Sequence, residues 1–150
     1  MADGVFNISK GKVKYYAELP AANDALLLIL LKSTGLEADD TLNNYDDLAT
    51  LLAAANDECD FTNYSRKTLA NISITVDDTN NRVDIDCDDV VYTNAGGAAN
   101  NTVGKAIICY DPDTTGGTDS SIVPLTYHDM SFTTDGTTQT LQVTNFYRAA

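Results

Sequence analysis

The sequence predicts an α+β protein, an antiparallel β-sandwich or small barrel with about two short helices in its N-terminal half. Three observations carry this expectation. The 150 residues include 19 Asp and 19 Thr but only 3 Glu. Asp and Thr favour turns, caps and strands, whereas Glu favours helix interiors. One segment, NNYDDLATLLAAAN, carries apolar residues at helical spacing, and from residue 57 onward apolar positions recur at every second residue, the period of a half-buried strand. The length suits one domain, 1–150, read as a mixed helix/strand half over 1–56 and an antiparallel β-meander over 57–150. A domain of this size buries roughly 70% of the surface its unfolded chain exposes, and an apolar content of 43% is enough for one core.

In chain order, Ser9 is placed to cap a short helix through KGKVKYYAEL, with Val13, Tyr16 and Ala17 on one face and Pro20 as its stop. The same residues permit a strand in which Val13, Tyr15, Ala17 and Leu19 alternate, and Gly11 weakens the helix; helix is the preferred reading. The run DALLLILLKS is bounded by Asn23-Asp24 and Ser33-Thr34-Gly35. It reads as a strand buried on both faces, although periodicity alone also permits a buried helix. In NNYDDLATLLAAAN, Tyr45, Leu48, Leu51, Leu52 and Ala55 share a helical face. Asn44 is positioned as its cap, and Asp46 and Asp47 fall in the first turn, where the helix dipole favours negative charge. Further on, Ile72, Ile74 and Val76, then Val83, Ile85 and Cys87, alternate with polar residues on either side of DDTNN. AIICY, IVPLTY, MSFTT and TLQV continue the series, and Asp135-Gly136, between Phe132 and Leu141, is a two-residue hairpin signal.

Charge narrows the partners. The formal net charge of −13 arises from 22 acids against 9 bases, and such a surface repels phosphate backbones, which argues against nucleic acid. The longest apolar run, Ala25 to Leu31, is far short of the about 20 residues a membrane-spanning helix needs, so no membrane partner is expected. MADGVFNISKGK lacks the apolar stretch of a secretory signal, so synthesis in the cytoplasm with reduced thiols is expected, and the four N-x-S/T sequons then carry no meaning. Cys59, Cys87 and Cys109 are odd in number and form no C-x-x-C, which argues against a disulfide framework and against zinc.

The most charged stretch is ITVDDTNNRVDIDCDD, with six Asp in sixteen residues. A calcium loop beginning at Asp84 requires Gly at its sixth position and Glu at its twelfth, where this chain has Asp89 and Ala95. On a strand, Asp84, Asp86 and Asp88 share one face and point to water while Val83, Ile85 and Cys87 point inward. That solvated face is the preferred reading, with weak divalent binding as the sharper one. In YDPDTTGGTDSS, Asp111, Asp113, Thr115 and Gly116 imitate the first, third, fifth and sixth positions of a calcium loop, but the twelfth is Ile122. Pro112 and Gly116-Gly117 explain the same residues as a long turn. No cofactor is expected. His128 is the one histidine and the only base available to a Ser or Cys nucleophile. Cys109, flanked by Ile107, Ile108 and Tyr110, reads as a buried strand thiol whose pKa burial raises. No enzymatic motif is present, and enzyme activity is not expected. Lys10, Lys12 and Lys14 place three of the nine bases within five positions. They read as a solvated helix face or as a basic arm docking on an acidic neighbour.

The segment VFNISKGKVKYYAELPAANDALLLILLKSTGLEADDTLNNYDDLATLLA resembles the N-terminal half of a family of small virion structural proteins, capsid decoration or minor capsid proteins, from tailed phages of actinobacteria. CYDPDTTGGTDSSIVPLTYHDMSFTTDGTT, the pair of strands around VDDTNNRVDID and the ending FYRAA resemble the same proteins, so the likeness covers nearly the whole chain. It rests on the order of these segments and not on a catalytic motif. The resemblance implies a structural protein on the outer surface of an expanded phage head, binding the major capsid protein and copies of itself. On that view the terminal residues Val5, Phe6 and Ile8, with Phe146, Tyr147 and Arg148, are candidate partner contacts alongside Lys10, Lys12 and Lys14; the plain alternative is docking of each terminus onto its own domain. A tail tube or tip component, or a host-adsorption module, is the rival. A glycan binder presents exposed aromatics, and this chain has no Trp.

Overall fold

The alternating segments fold as strands, and the uniformly apolar run becomes the strand around which they assemble. The computed structural model describes residues 3–150. Its elements are β1 (Gly4–Val5), α1 (Val13–Ala17), β2 (Ala25–Lys32), α2 (Asp39–Leu42), α3 (Leu48–Ala53), β3 (Lys67–Thr68), β4 (Ser73–Asp77), β5 (Arg82–Asp86), β6 (Val90–Tyr92), β7 (Thr102–Asp111), β8 (Val123–Thr133), β9 (Gln139–Leu141) and β10 (Tyr147–Ala149). Short 3-10 turns lie at Asn7–Ser9 and Asp119–Ser121. Every strand pairing is antiparallel. The main sheet has the order β1-β8-β7-β2-β3, a second sheet the order β10-β5-β4, and β6 and β9 form a two-stranded ribbon. Among the described residues no sheet closes on itself. The fold is therefore α+β, built from open antiparallel sheets with three short helices.

β2 shows why an all-apolar strand belongs at the centre. Leu26, Leu28 and Leu30 enter one core, which includes Ile85, Val90, Tyr92, Leu141 and Phe146 from the region of the second sheet and the ribbon. Ala25, Leu27, Ile29 and Leu31 enter a second core with Leu42, Leu48 and Leu51 of the helices and with Phe6. Full burial of one such Leu or Ile is worth roughly 1.5–3 kcal/mol, so both faces of β2 stabilise the molecule. β7 behaves likewise: Ala106, Ile108 and Tyr110 face the first core, and Ile107 and Cys109 the second. AIICY is thus a strand, but one buried on both faces.

Several local expectations change. α1 forms and carries Val13 and Ala17 inward, but Ser9 does not cap it; the Ser9 hydroxyl is buried and donates to the Pro124 carbonyl at 2.7 Å. Asp47, not Asn44, caps α3, accepting from the Thr50 amide at 2.8 Å, because the segment from Asp39 to Leu42 has already formed the separate helix α2. Asp135-Gly136 does not close a hairpin. β9 pairs with β6 instead of β8, and the Gly136 amide donates to the Ala95 carbonyl at 2.7 Å. Val76 is 61% exposed, because the β4–β5 hairpin extends beyond the core that Ile74 still touches. Pro124 is tolerated inside β8 at an irregularity in the β7–β8 ladder, where its missing N–H removes no regular hydrogen bond.

Candidate functional site

A groove of about 630 Å³ lies between the α2 region and the ends of β7 and β8, with Lys105 in its wall. Gly104 is required there, since a Cβ at this position would lie 2.8 Å from the Ser33 Cα. Lys105, the next residue, is 2% exposed, with its Nζ 5.1 Å from the centre of the Tyr127 ring. The ammonium donates to Asp129, its neighbour across the β7–β8 ladder, and to Asp39 of α2 at 2.7 Å. Burial by itself lowers the Lys105 pKa, but the hydrogen bonds from Asp129 and Asp39 outweigh it and hold the pKa above its ordinary value. Lys105 is therefore a fixed cation. Chemistry that needs a neutral amine is not set up here. The second Asp129 oxygen, Oδ2, is buried without a partner.

The acidic candidates separate. Asp84 is 8% exposed, which overturns its placement on a solvated face. It sits between Arg82 at 3.0 Å and Arg148 at 2.5 Å, and the Arg148 hydrogen bond holds its carboxyl below the usual range. Asp86 accepts from the amides of Cys87 and Asn145, and exposed Asp88 accepts from Asn71. Asp111 accepts from the Asp113 amide at 3.0 Å, and Asp113 from the amide and hydroxyl of Thr115. These bonds make the loop a turn of the kind Asp residues form on their own backbone. Among the described residues no group of three or more His, Cys, Asp or Glu converges on a point that could hold a metal ion.

His128 lies between Asp3, 3.2 Å from Nδ1, and the Thr126 hydroxyl, 3.0 Å from Nε2. The sequence pattern did not signal this trio, because Asp3 reaches it only through the pairing of β1 with β8. It has the connectivity of a relay, but Thr126 is 1% exposed, and a nucleophile must reach its substrate. The thiols are equally enclosed. Burial pushes Cys59 up to about 12 and Cys87 up to about 11, and raises Cys109, which is fully buried.

The terminal candidates divide by residue. Phe6 is completely buried, edge-on to Tyr127 at 5.5 Å, and Phe146 is 7% exposed in the first core. Both rings thus dock on the chain's own domain. Val5, Ile8 and Tyr147 are half-buried, and Arg148 is exposed but paired with Asp84. Lys10, Lys12 and Lys14 are exposed, as are Tyr15 (57%) and Leu19 (37%) beside them. The sequence reading placed the helix correctly but did not single out Tyr15 and Leu19. Tyr15 lies on the side of α1 away from Val13 and Ala17, and Leu19 lies just past the end of the helix, where no helical spacing marks it. No family model matches the chain, and neither a curated protein nor a solved structure is similar to it.

Proposed function

We propose that this protein is a structural component of a virion, a decoration protein bound to the outer surface of an expanded tailed-phage head, in contact with the major capsid protein and with copies of itself. The resemblance of its ordered segments to small actinobacterial phage proteins supports the reading. The structural observation that carries it is the open outer edge of β1 and of β10. β1 pairs with β8 over two residues and β10 pairs with β5 over three, each at the outer edge of a sheet and each followed or preceded by one buried phenylalanine. The outer edge of each of these strands leaves backbone N–H and C=O groups open to pairing with a neighbouring chain. The packing of the main sheet on the smaller sheets is read, within this proposal, as an open sandwich. Many repeated weak contacts then hold the protein without a pocket. The test is co-sedimentation of the purified chain with expanded heads that lack it, scored for stoichiometry and for head survival on heating. Saturable binding at a fixed ratio to the major capsid protein, with a raised disruption temperature, is the expected result. Absence from heads together with recovery in tails overturns the reading in favour of a tail component or adsorption module.

A further inference from the structure

Copies of a chain carrying a net charge of −13 repel one another, so a contact between copies forms where free cations meet free anions. Most of the nine bases are already engaged. Lys14, Lys32, Arg66, Arg82, Lys105 and Arg148 have carboxylate partners, and Lys67 lies over the Tyr92 ring. Among the described residues, Lys10 and Lys12 alone have neither; Lys10 donates to the Asn7 side chain at 2.7 Å, and Lys12 has no side-chain partner. They precede the exposed apolar residues Tyr15 and Leu19 on the same short segment. Leu19 is held outward by a left-handed backbone (φ 52°) immediately before Pro20, and it is the one such residue that is neither Asn nor Gly. That conformation is unfavourable for a branched side chain ahead of proline. The patch is therefore basic and apolar on an acidic body.

Its complement occurs on the same chain. Val76, the most exposed large apolar side chain, lies at the end of β4 where the β4–β5 hairpin overhangs the core, and Asp78 follows in the exposed turn with no hydrogen-bonding or ionic partner among the described residues. Val91 is also exposed (44%), but Asp89, two residues before it, accepts from the Val143 amide. The Val76–Asp78 tip therefore offers the freer anion beside an apolar surface.

We infer that the α1 patch of one copy docks on the β4–β5 hairpin tip of a second copy, with Tyr15 and Leu19 against Val76 and with Lys10 and Lys12 facing Asp78. Because the two surfaces differ, the contact is either reciprocal in a two-fold dimer or head to tail in a ring or an array. This inference stands independently of the phage-head reading, and its test contains no particle.

Sedimentation velocity of the purified chain over a range of concentrations, at low and then high ionic strength, reads the contact directly. The expected result is mass rising with concentration at the lower salt, about 0.1 M, where a Debye length of ~10 Å screens the net repulsion between copies more than the contact pairs, and returning to monomer at about 1 M. Lys12→Glu and Asp78→Lys should each weaken association about tenfold or more, and the double variant Lys12→Glu/Asp78→Lys, in which the charges are exchanged, should restore it. Both positions are exposed and without internal partners, so the variants keep the fold. A wild-type chain that stays monomeric at low salt overturns the inference. So does a double variant that associates no better than its two parents.

Discussion

Two of the molecule's ionic clusters are of opposite construction. In the main sheet one cation, Lys105, lies between two carboxylates, Asp39 and Asp129. In the second sheet one anion, Asp84, lies between two guanidinium groups, Arg82 and Arg148. Lys105 is 2% exposed and Asp84 8%, but their surroundings differ. Lys105 is roofed by Tyr127 and by α2, whereas Asp84 is covered chiefly by arginine side chains, of which Arg148 is 47% exposed. The first cluster must offset the desolvation of an ammonium and gains little from the solvent; the second keeps water beside its charges. A buried ion pair thus joins a helix to the main sheet, and a partly solvated one fastens the C-terminal strand to the second sheet.

The comparison is broken most forcefully by Lys105→Ala, which leaves Asp129 buried without its cation. We expect a loss of about 3–5 kcal/mol, read from urea unfolding. Removing the stranded carboxylate as well, in Lys105→Ala/Asp129→Ala, should recover part of that loss; a double variant as unstable as the single one contradicts the assignment. The anchoring phenylalanines extend the test to the same two sheets. Phe6→Ala should cost about 3–5 kcal/mol, and Phe146→Ala, at a slightly more exposed site, should fall at the lower end of that range.

Acid and base should separate the clusters. The hydrogen bond from Arg148 lowers the Asp84 pKa, and hydrogen bonds lower those of Asp60, Asp77, Asp113, Asp119 and Asp135. A lowered folded pKa contributes stability that is present above the unfolded carboxylate value of about 3.9 and is lost as pH falls through the folded values. Lys105 and Lys32 are raised, so their contribution is present below about 10.4 and is lost as pH rises through the folded values. Urea midpoints measured against pH should therefore decline at both extremes. Asp84→Asn should flatten the acid limb and leave the alkaline limb unchanged. The smallest effect should come from Arg148→Ala, because its side chain is half exposed and Arg82 still faces Asp84. A urea midpoint displaced as far as that of Lys105→Ala would erase the distinction between the clusters.

Much of the fold was legible in short spans of sequence. The apolar run in β2, the helical spacing over Leu48 to Leu52 and the alternation through Ile85 and Cys87 each report a local period that the structure keeps. Turn positions were equally local: five of the six non-glycine residues at positive φ are Asn, whose short amide tolerates that conformation. The candidate surface was less legible. Lys10, Lys12 and Lys14 stood out as a cluster, but the exposure of Tyr15, Leu19 and Val76 depends on where the cores end. Asp84 was assigned to water because strand alternation says which face a residue occupies, and it does not say that two arginines cover that face.

What the sequence by itself determined is the α+β class, the burial of both faces of the Ala25–Leu31 run and the burial of the Cys109 thiol, because each follows from composition and flanking residues within a few positions. Tertiary structure alone decided that β2 pairs with β7, that β6 pairs with β9 and that β10 completes the second sheet. It also decided that Lys105 is a buried cation. A strand's pattern shows which side chains must leave water, but its backbone hydrogen bonds are satisfied equally well by any strand of suitable length. The choice among them is made by the summed burial of two cores and by charges brought together from distant parts of the chain.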